Sequence, residues 1–222
     1  MNVFLAEDRA MTAHFVNRQY FDDSPVHGAP AANQPKRVRQ QTYLDARGFD
    51  AMGYRVGGIV KPAEVDLPAG TILFRLYGDK AQWDGRWWVT PFELSQIIDH
   101  FGHHDVRAGR RDGKGMLHAS LAVLAQEWRN SMRHFCVVEL AGAFKAFYGE
   151  GDHALLGSEH GRKVALLRDQ RTGTQKAARQ LFLPGLRDFT ADVTVHVQRG
   201  MTDSALASNL RRFRRAPLYF EV

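Results

Sequence analysis

The sequence predicts an α+β domain. Short strand signals and helix signals follow one another without the regular alternation that a parallel sheet with crossover helices requires. The clearest strands, at 72–77, 134–140 and 192–198, are apolar or alternating over only six or seven residues. A marked helix start at Thr90-Pro91-Phe92-Glu93 lies between two of them, and no repeat of fixed period points to a solenoid.

Taken in order, residues 1–22 carry Phe4, Leu5, Met11, Phe15, Val16 and Tyr20 at a weak helical period. Residues 22–41 hold three of the eight prolines and almost no apolar bulk, the composition of a linker. The expected division is therefore 1–42 as a helical lead and Pro/Ala-rich linker, and 43–222 as the folded domain beginning near Tyr43. In LPAGTILFRLYG (67–78) a Pro68-Ala69-Gly70 turn leads into a strand on which Ile72, Phe74 and Leu76 alternate with Leu73, Arg75 and Tyr77. GRWWV (85–89) is a second short strand. Thr90 then suits an N-cap, Pro91 the first helical position and Glu93 the third, with Gly102 as the stop after about Phe101.

The stretch 102–114 reads as a basic loop, and Leu117, Leu121, Leu124 and Trp128 as the apolar face of a helix. Strands are expected at 134–140, 143–149, 179–184 and 192–198, with 163–167 as a further candidate. SALASNLRRFRR (204–215) reads as a basic helix and the closing APLYFEV as a strand.

At roughly 150 residues per domain, 222 residues suit one domain with an extension. Hydrophobic residues make up 44% and charged residues 24%, enough apolar material for a core and too little charge for a disordered chain. The net charge of +6 favours an anionic partner without choosing between nucleic acid, a dinucleotide and an acidic protein. One cysteine, Cys136, excludes an internal disulfide and a cysteine-built zinc site. No run approaches the ~18 apolar residues of a membrane span, and the N-terminus lacks the pattern of a Sec signal. The expectation is a cytoplasmic protein, or an effector exported without a Sec signal, with no membrane partner.

Several motifs fail on spacing. GRRDGKG (109–115) has three residues between its first two glycine landmarks and Gly115 after the lysine, so it is not a phosphate loop. In GSEHG (157–161) Ser158 stands one place too early for a nucleophile elbow. His100, His103 and His104 with Asp99 and Asp105 lack H-E-x-x-H geometry and suit a polar helix end, so no metal is expected. Cys136, inside an apolar strand, reads as a small buried hydrophobe. Arg107, Arg110, Arg111 and Lys114, and then Arg211, Arg212, Arg214 and Arg215, fit either solvated faces or phosphate contacts.

The order LPAGTILFRLYG, GRWWVTPFEL, HFCVVELAGAFKAFYGEG, ARQLFLP resembles the ADP-ribosyltransferase fold of bacterial toxins, including NAD glycohydrolases of the tuberculosis necrotizing toxin type. The resemblance covers about residues 67–184 in scattered short motifs. It implies a split antiparallel β-sheet core with flanking helices. Arg75 corresponds to the arginine of the first core strand, Trp87 and Trp88 to the aromatic pair after a glycine, and Gln180 to the catalytic position of a later strand. It further implies NAD as substrate, Arg75 as a donor fork for the pyrophosphate, and Tyr77, Trp87 or Trp88 as a wall against nicotinamide. A cognate immunity protein is implied by the same likeness.

The chain departs from the pattern where protein-modifying members carry Glu-x-Glu or Gln-x-Glu: here 180–182 read Gln-Leu-Phe. That moves the acid elsewhere, to Glu150, Glu159 or Glu221, or leaves the amide alone as in the glycohydrolases. The Ser-Thr-Ser motif of one clade is also replaced, by GRWWVT. The expected activity is cleavage of NAD at the nicotinamide–ribose bond with transfer of ADP-ribose to a protein or nucleic-acid acceptor. Transfer to water is the alternative. A non-enzymatic nucleic-acid-binding domain, stacking bases on Tyr77, Trp87 and Trp88, is the rival from another class.

Overall fold

In the computed structural model, residues 14–24, 37–49, 58–78, 83–97, 133–151, 179–200 and 202–213 are described. Seven strands fall in them: β1 Ala63–Leu67, β2 Ile72–Tyr77, β3 Trp87–Trp88, β4 His134–Leu140, β5 Phe144–Glu150, β6 Arg179–Phe182 and β7 Val193–Gly200. They form two antiparallel sheets, one in the order β1-β5-β6-β3 and the other β2-β4-β7. Helices α1 (Val38–Ala46), α2 (Pro91–Ile97) and α3 (Asp203–Phe213) flank them, with 3₁₀ turns at Arg18–Phe21 and Leu186–Asp192. The α+β class expected from the mixed, irregular order of signals is what the chain adopts.

Two corners carry the chain from sheet to sheet. Between β1 and β2, Gly70 has φ 86°, a left-handed conformation that a side chain would strain. Thr71 closes the turn, its N–H and its hydroxyl both donating to Pro68 O at 3.2 and 2.6 Å. The second corner, between β4 and β5, lies against the first: Gly70 N–H donates to Leu140 O at 2.7 Å, and Leu140 N–H donates to Thr71 O at 3.0 Å.

Strand alternation distributes side chains among three apolar clusters. On β2, Leu73 and Tyr77 face β1, β5 and β6 across the gap between the sheets, together with Cys136 and Val138 of β4. Ile72, Phe74 and Leu76 point the other way and pack with Leu94 of α2 and Leu206 and Leu210 of α3. Phe147 and Phe182, on the far face of the first sheet, pack with Phe21 and with Ala46 of α1. The order of layers is thus α1, first sheet, second sheet, then α2 and α3. It explains why β2 is apolar on both faces: each face has its own cover, and Arg75 is its one incompletely buried residue.

The described N-terminal residues pack on the sheets, well ahead of Tyr43 where the sequence placed the start of the compact part. Phe15 bridges Ala143, and Val16 N–H donates to Ala143 O at 2.8 Å. Asn17 is fully buried. Its amide donates to Lys145 O at 2.8 Å and Pro184 O at 3.0 Å, and its carbonyl accepts Lys145 N–H at 2.8 Å. α1 likewise begins at Val38, inside the segment read as linker.

The helix start at Thr90 forms as its residues require. Thr90 Oγ1 accepts Glu93 N–H at 3.1 Å and Thr90 O accepts Leu94 N–H at 3.0 Å. The later course of that helix, the helix expected at 117–128, the strand candidate at 163–167 and the closing APLYFEV lie outside the described residues.

Candidate functional site

Antiparallel register decides which polar side chains share the gap between the sheets. Arg75 lies between Leu73 and Tyr77 on the inward face of β2, opposite Cys136 of β4. Its Nη1 donates to Trp87 O at 2.9 Å, which ties the second sheet to β3 of the first. The guanidinium rests over Gly85, where an added Cβ would stand 2.0 Å from Nη2. Arg75 Nε is buried without a hydrogen-bond partner among the described residues, a costly state for a donor unless something fills it. Burial lowers the Arg75 pKa, opposed by the nearby negative charge of Asp84. Asp84 is itself clamped by Arg187, whose Nε and Nη2 donate to Oδ2 at 3.0 Å and Oδ1 at 3.2 Å.

Tyr77 is inward and buried, its ring stacked on His134 with centroids 5.4 Å apart. Burial raises its pKa. The two tryptophans divide as strand alternation requires. Trp88 joins the inter-sheet cluster at 1% exposure and donates its indole N–H to Gly85 O at 2.7 Å. Trp87 faces outward and meets Phe182 edge-on, centroids 5.0 Å apart.

Gln180 is not on the face of Arg75. It pairs with Gly149, next to Leu181 of the inner cluster, and so shares the outer face with Phe182 and Phe147, buried at 6% exposure. Glu150 ends β5 on the inward side, exposed and in register with Arg179. Glu159 and Glu221, the histidine cluster at 100–104, the basic loop 107–114, and Arg214 and Arg215 lie outside the described residues. Arg211 and Arg212 are exposed on α3. Cys136 is buried and its thiol is pushed up to about 12 by burial, so it is no nucleophile at neutral pH.

A second polar group on the inward face was not apparent in the sequence. Glu93 of α2 is buried, and its Oε1 accepts a hydrogen bond from the hydroxyl of Tyr148 on β5. Arg179 of β6 lies over the Tyr148 ring, Cζ 6.0 Å from the centroid. Burial and then the Glu93 contact raise the Tyr148 pKa, and the Tyr148 contact raises that of Arg179. The signal available in sequence was Glu93 at the third position of a capped helix, which accounts for a cap and says nothing of Tyr148.

Trp88, Leu181 and Tyr148 are in register across β3, β6 and β5. Arg75, Gly85 and Asp84 lie to one side of that row, and Glu93, Arg179 and Glu150 to the other. An open groove of about 540 Å³ lies elsewhere, on the outer face near Arg39, Tyr43, Glu64 and Phe147. There Arg39 is held by Glu64, Nη2 to Oε1 at 2.6 Å. Among the described residues no group of three or more His, Cys, Asp or Glu could hold a metal ion. No described helix is long and apolar enough to cross a membrane.

No family model matches the chain, and no curated protein matches it. Among solved structures, it is similar to the chain described as Rhs1-CT in complex with cognate immunity protein RhsI1, with 14% identity and a TM-score of 0.34 over 64% of this chain and 78% of that one. A TM-score that low assigns neither a fold nor an activity.

Proposed function

We propose that the protein is an NAD-consuming enzyme of the ADP-ribosyltransferase type, acting as a bacterial toxin or effector. It cleaves the nicotinamide–ribose bond and passes ADP-ribose to a macromolecular acceptor, with water as the alternative acceptor. The carrying observation is Arg75: an inward guanidinium in the gap of a split antiparallel sheet, seated on Gly85, with Nε buried and without a hydrogen-bond partner among the described residues. A planar, permanently charged donor in that position suits a pyrophosphate. The toxin reading and a cognate immunity partner rest on the sequence resemblance alone.

On this reading the roles divide by face. Tyr77 and Trp88 supply the apolar inner wall, whereas Trp87 and Gln180 face away from Arg75 and serve the reaction only indirectly. The catalytic acid is sought on the inward face, where the exposed Glu150 stands at the rim.

Incubation of purified protein with NAD and assay of free nicotinamide tests this. Wild type is expected to release nicotinamide and Arg75→Ala to lose about 100-fold or more in rate, the scale of one removed charge-stabilising donor. Release without lysate assigns water as acceptor, and label on protein or RNA only with lysate assigns transfer. Salt-sensitive nucleic-acid binding with no nicotinamide release would replace the reading with the binding-domain rival.

A further inference from the structure

β7 is the outer strand of its sheet, paired only with β4 among the described residues. Directly opposed residues of paired strands share a face. Arg199 stands opposite Phe135, which packs with Leu206 and Leu210 of α3, so the exposed Arg199 is on the helix side of the sheet. α3 follows β7 closely and runs back along it, and the ring of Phe213 at its end lies 5.4 Å from that of His196. Arg211 and Arg212 are exposed in the last turn of α3. Three arginines from two neighbouring elements thus open onto one face.

Their surroundings differ from those of the arginines near α1. There Arg37 is held by Asp23, Arg39 by Glu64 and Arg86 by Asp45, at 3.6, 2.6 and 3.2 Å. Among the described residues no carboxylate pairs with Arg199, Arg211 or Arg212. β7 and α3 contain one carboxylate, Asp203, at the opposite end of the helix from Arg211 and Arg212. Glu139 of β4 is on the same face, opposite Ile72, but is taken by His196, Nε2 to Oε2 at 2.7 Å. Arg212 is steadied by a ring instead, its Cζ 5.0 Å from the Phe213 centroid. A guanidinium over a ring is held without spending the hydrogen-bond donors that a salt bridge uses. α2 packs beside α3, and its Phe92 is the most exposed large hydrophobic side chain among the described residues, at 46%.

We propose that this face, with Arg199, Arg211, Arg212 and Phe92, binds single-stranded nucleic acid. Uncommitted guanidinium donors suit phosphate, and an exposed ring takes a base by stacking. An acidic peptide matches the charge alone, whereas a nucleic-acid strand matches charge and ring together. The face lies across the second sheet from Arg75, so the inference does not rest on the NAD-consuming reading.

The probe is a fluorescein-labelled single-stranded RNA of about 16 nucleotides, followed by anisotropy over a range of salt. Wild type is expected to bind, with log K falling against log salt at a slope of about −2 or steeper, the contribution of three phosphate contacts on a single strand. The triple variant Arg199→Gln, Arg211→Gln, Arg212→Gln should lose about 2 from that slope and bind at least about tenfold more weakly at low salt. Phe92→Ala should weaken binding about tenfold and leave the slope unchanged. Arg37→Gln with Arg39→Gln, on the α1 side, should bind as wild type. Thermal melting checks folding, and if the triple variant does not fold, Arg212→Gln alone, expected to lose about 0.7 of slope, decides. Wild type that does not bind at low salt overturns the proposal, as does a folded arginine variant with wild-type affinity and slope. Binding that polyglutamate displaces as well as unlabelled RNA does, with Phe92→Ala at wild-type affinity, overturns it in favour of an acidic protein partner. Nicotinamide release from NAD, read on the same preparations, should be equal in wild type and the triple variant, so either reading fails without the other.

Discussion

The guanidinium of Arg75 lies directly on the Cα of Gly85, with no room between them for a single methyl group. The nearest guanidinium atom, Nη2, would be 2.0 Å from a Cβ built there. The contact joins the second sheet to the loop before β3 and sets where the charge points.

Gly85→Ala should therefore move Arg75. Overpacking at such a contact costs typically about 1–3 kcal/mol, and the Nη1 bond to Trp87 O should be lost with it. Chemical denaturation measures the first effect. A loss of nicotinamide release approaching that of Arg75→Ala, in protein that remains folded, measures the second.

The two tryptophans should differ in their cost. Trp88→Ala removes a side chain at 1% exposure together with its indole bond to Gly85 O, and should cost about 3–5 kcal/mol. Trp87→Ala, at a partly exposed edge-on contact with Phe182, should cost less. Equal midpoints of the two variants in urea would contradict the face assignment.

Asn17→Ala should destabilise the protein by about 3 kcal/mol, because Lys145 and Pro184 backbone groups lose their partners in a buried place. Asn17→Asp keeps the acceptor for Lys145 N–H and loses both donations, so it should not rescue. Thermal melts of the two variants check this.

Stability should fall on the alkaline side. Burial holds the Cys136 thiol protonated up to about 12, whereas the unfolded chain releases that proton near 9.0. Between those values the unfolded state binds fewer protons than the folded one, so unfolding becomes easier as pH rises. The contribution is whole below about pH 9 and is lost toward about pH 12, amounting to up to about 4 kcal/mol. The raised Tyr148 adds to the same slope. Cys136→Val should flatten the decline measured by urea unfolding from pH 8.5 to 10.5, and thiol reagents should meet Cys136 only as the protein unfolds.

Several elements carry their signal in their own residues. The period-two pattern of 72–77 and the apolar runs at 134–140 and 192–198 are strands, because a strand's exposure pattern is written in its own residues. Thr90, Pro91 and Glu93 start a helix since capping bonds span only three or four positions. The outward turn of one tryptophan followed from alternation, though not which one. Residues 15–22 and 38–42 fall in the expected lead and linker: the partners that bury Asn17 lie 128 and 167 positions away, and α1 begins at Val38 in a stretch with little apolar bulk.

The sequence by itself determined the α+β class, most strand positions and an arginine on the first core strand of the resemblance. Only the tertiary structure decided which sheet each strand joins, that Arg75 and Gln180 lie on different faces, and that Glu93 meets Tyr148. The reason is register. Pairing Gly149 with Gln180 and Tyr148 with Leu181 directs the glutamine to the outer layer and the tyrosine to the gap. A shift of one residue would place both on the same face. No local pattern records that choice, because it is made by contacts among strands far apart in the chain.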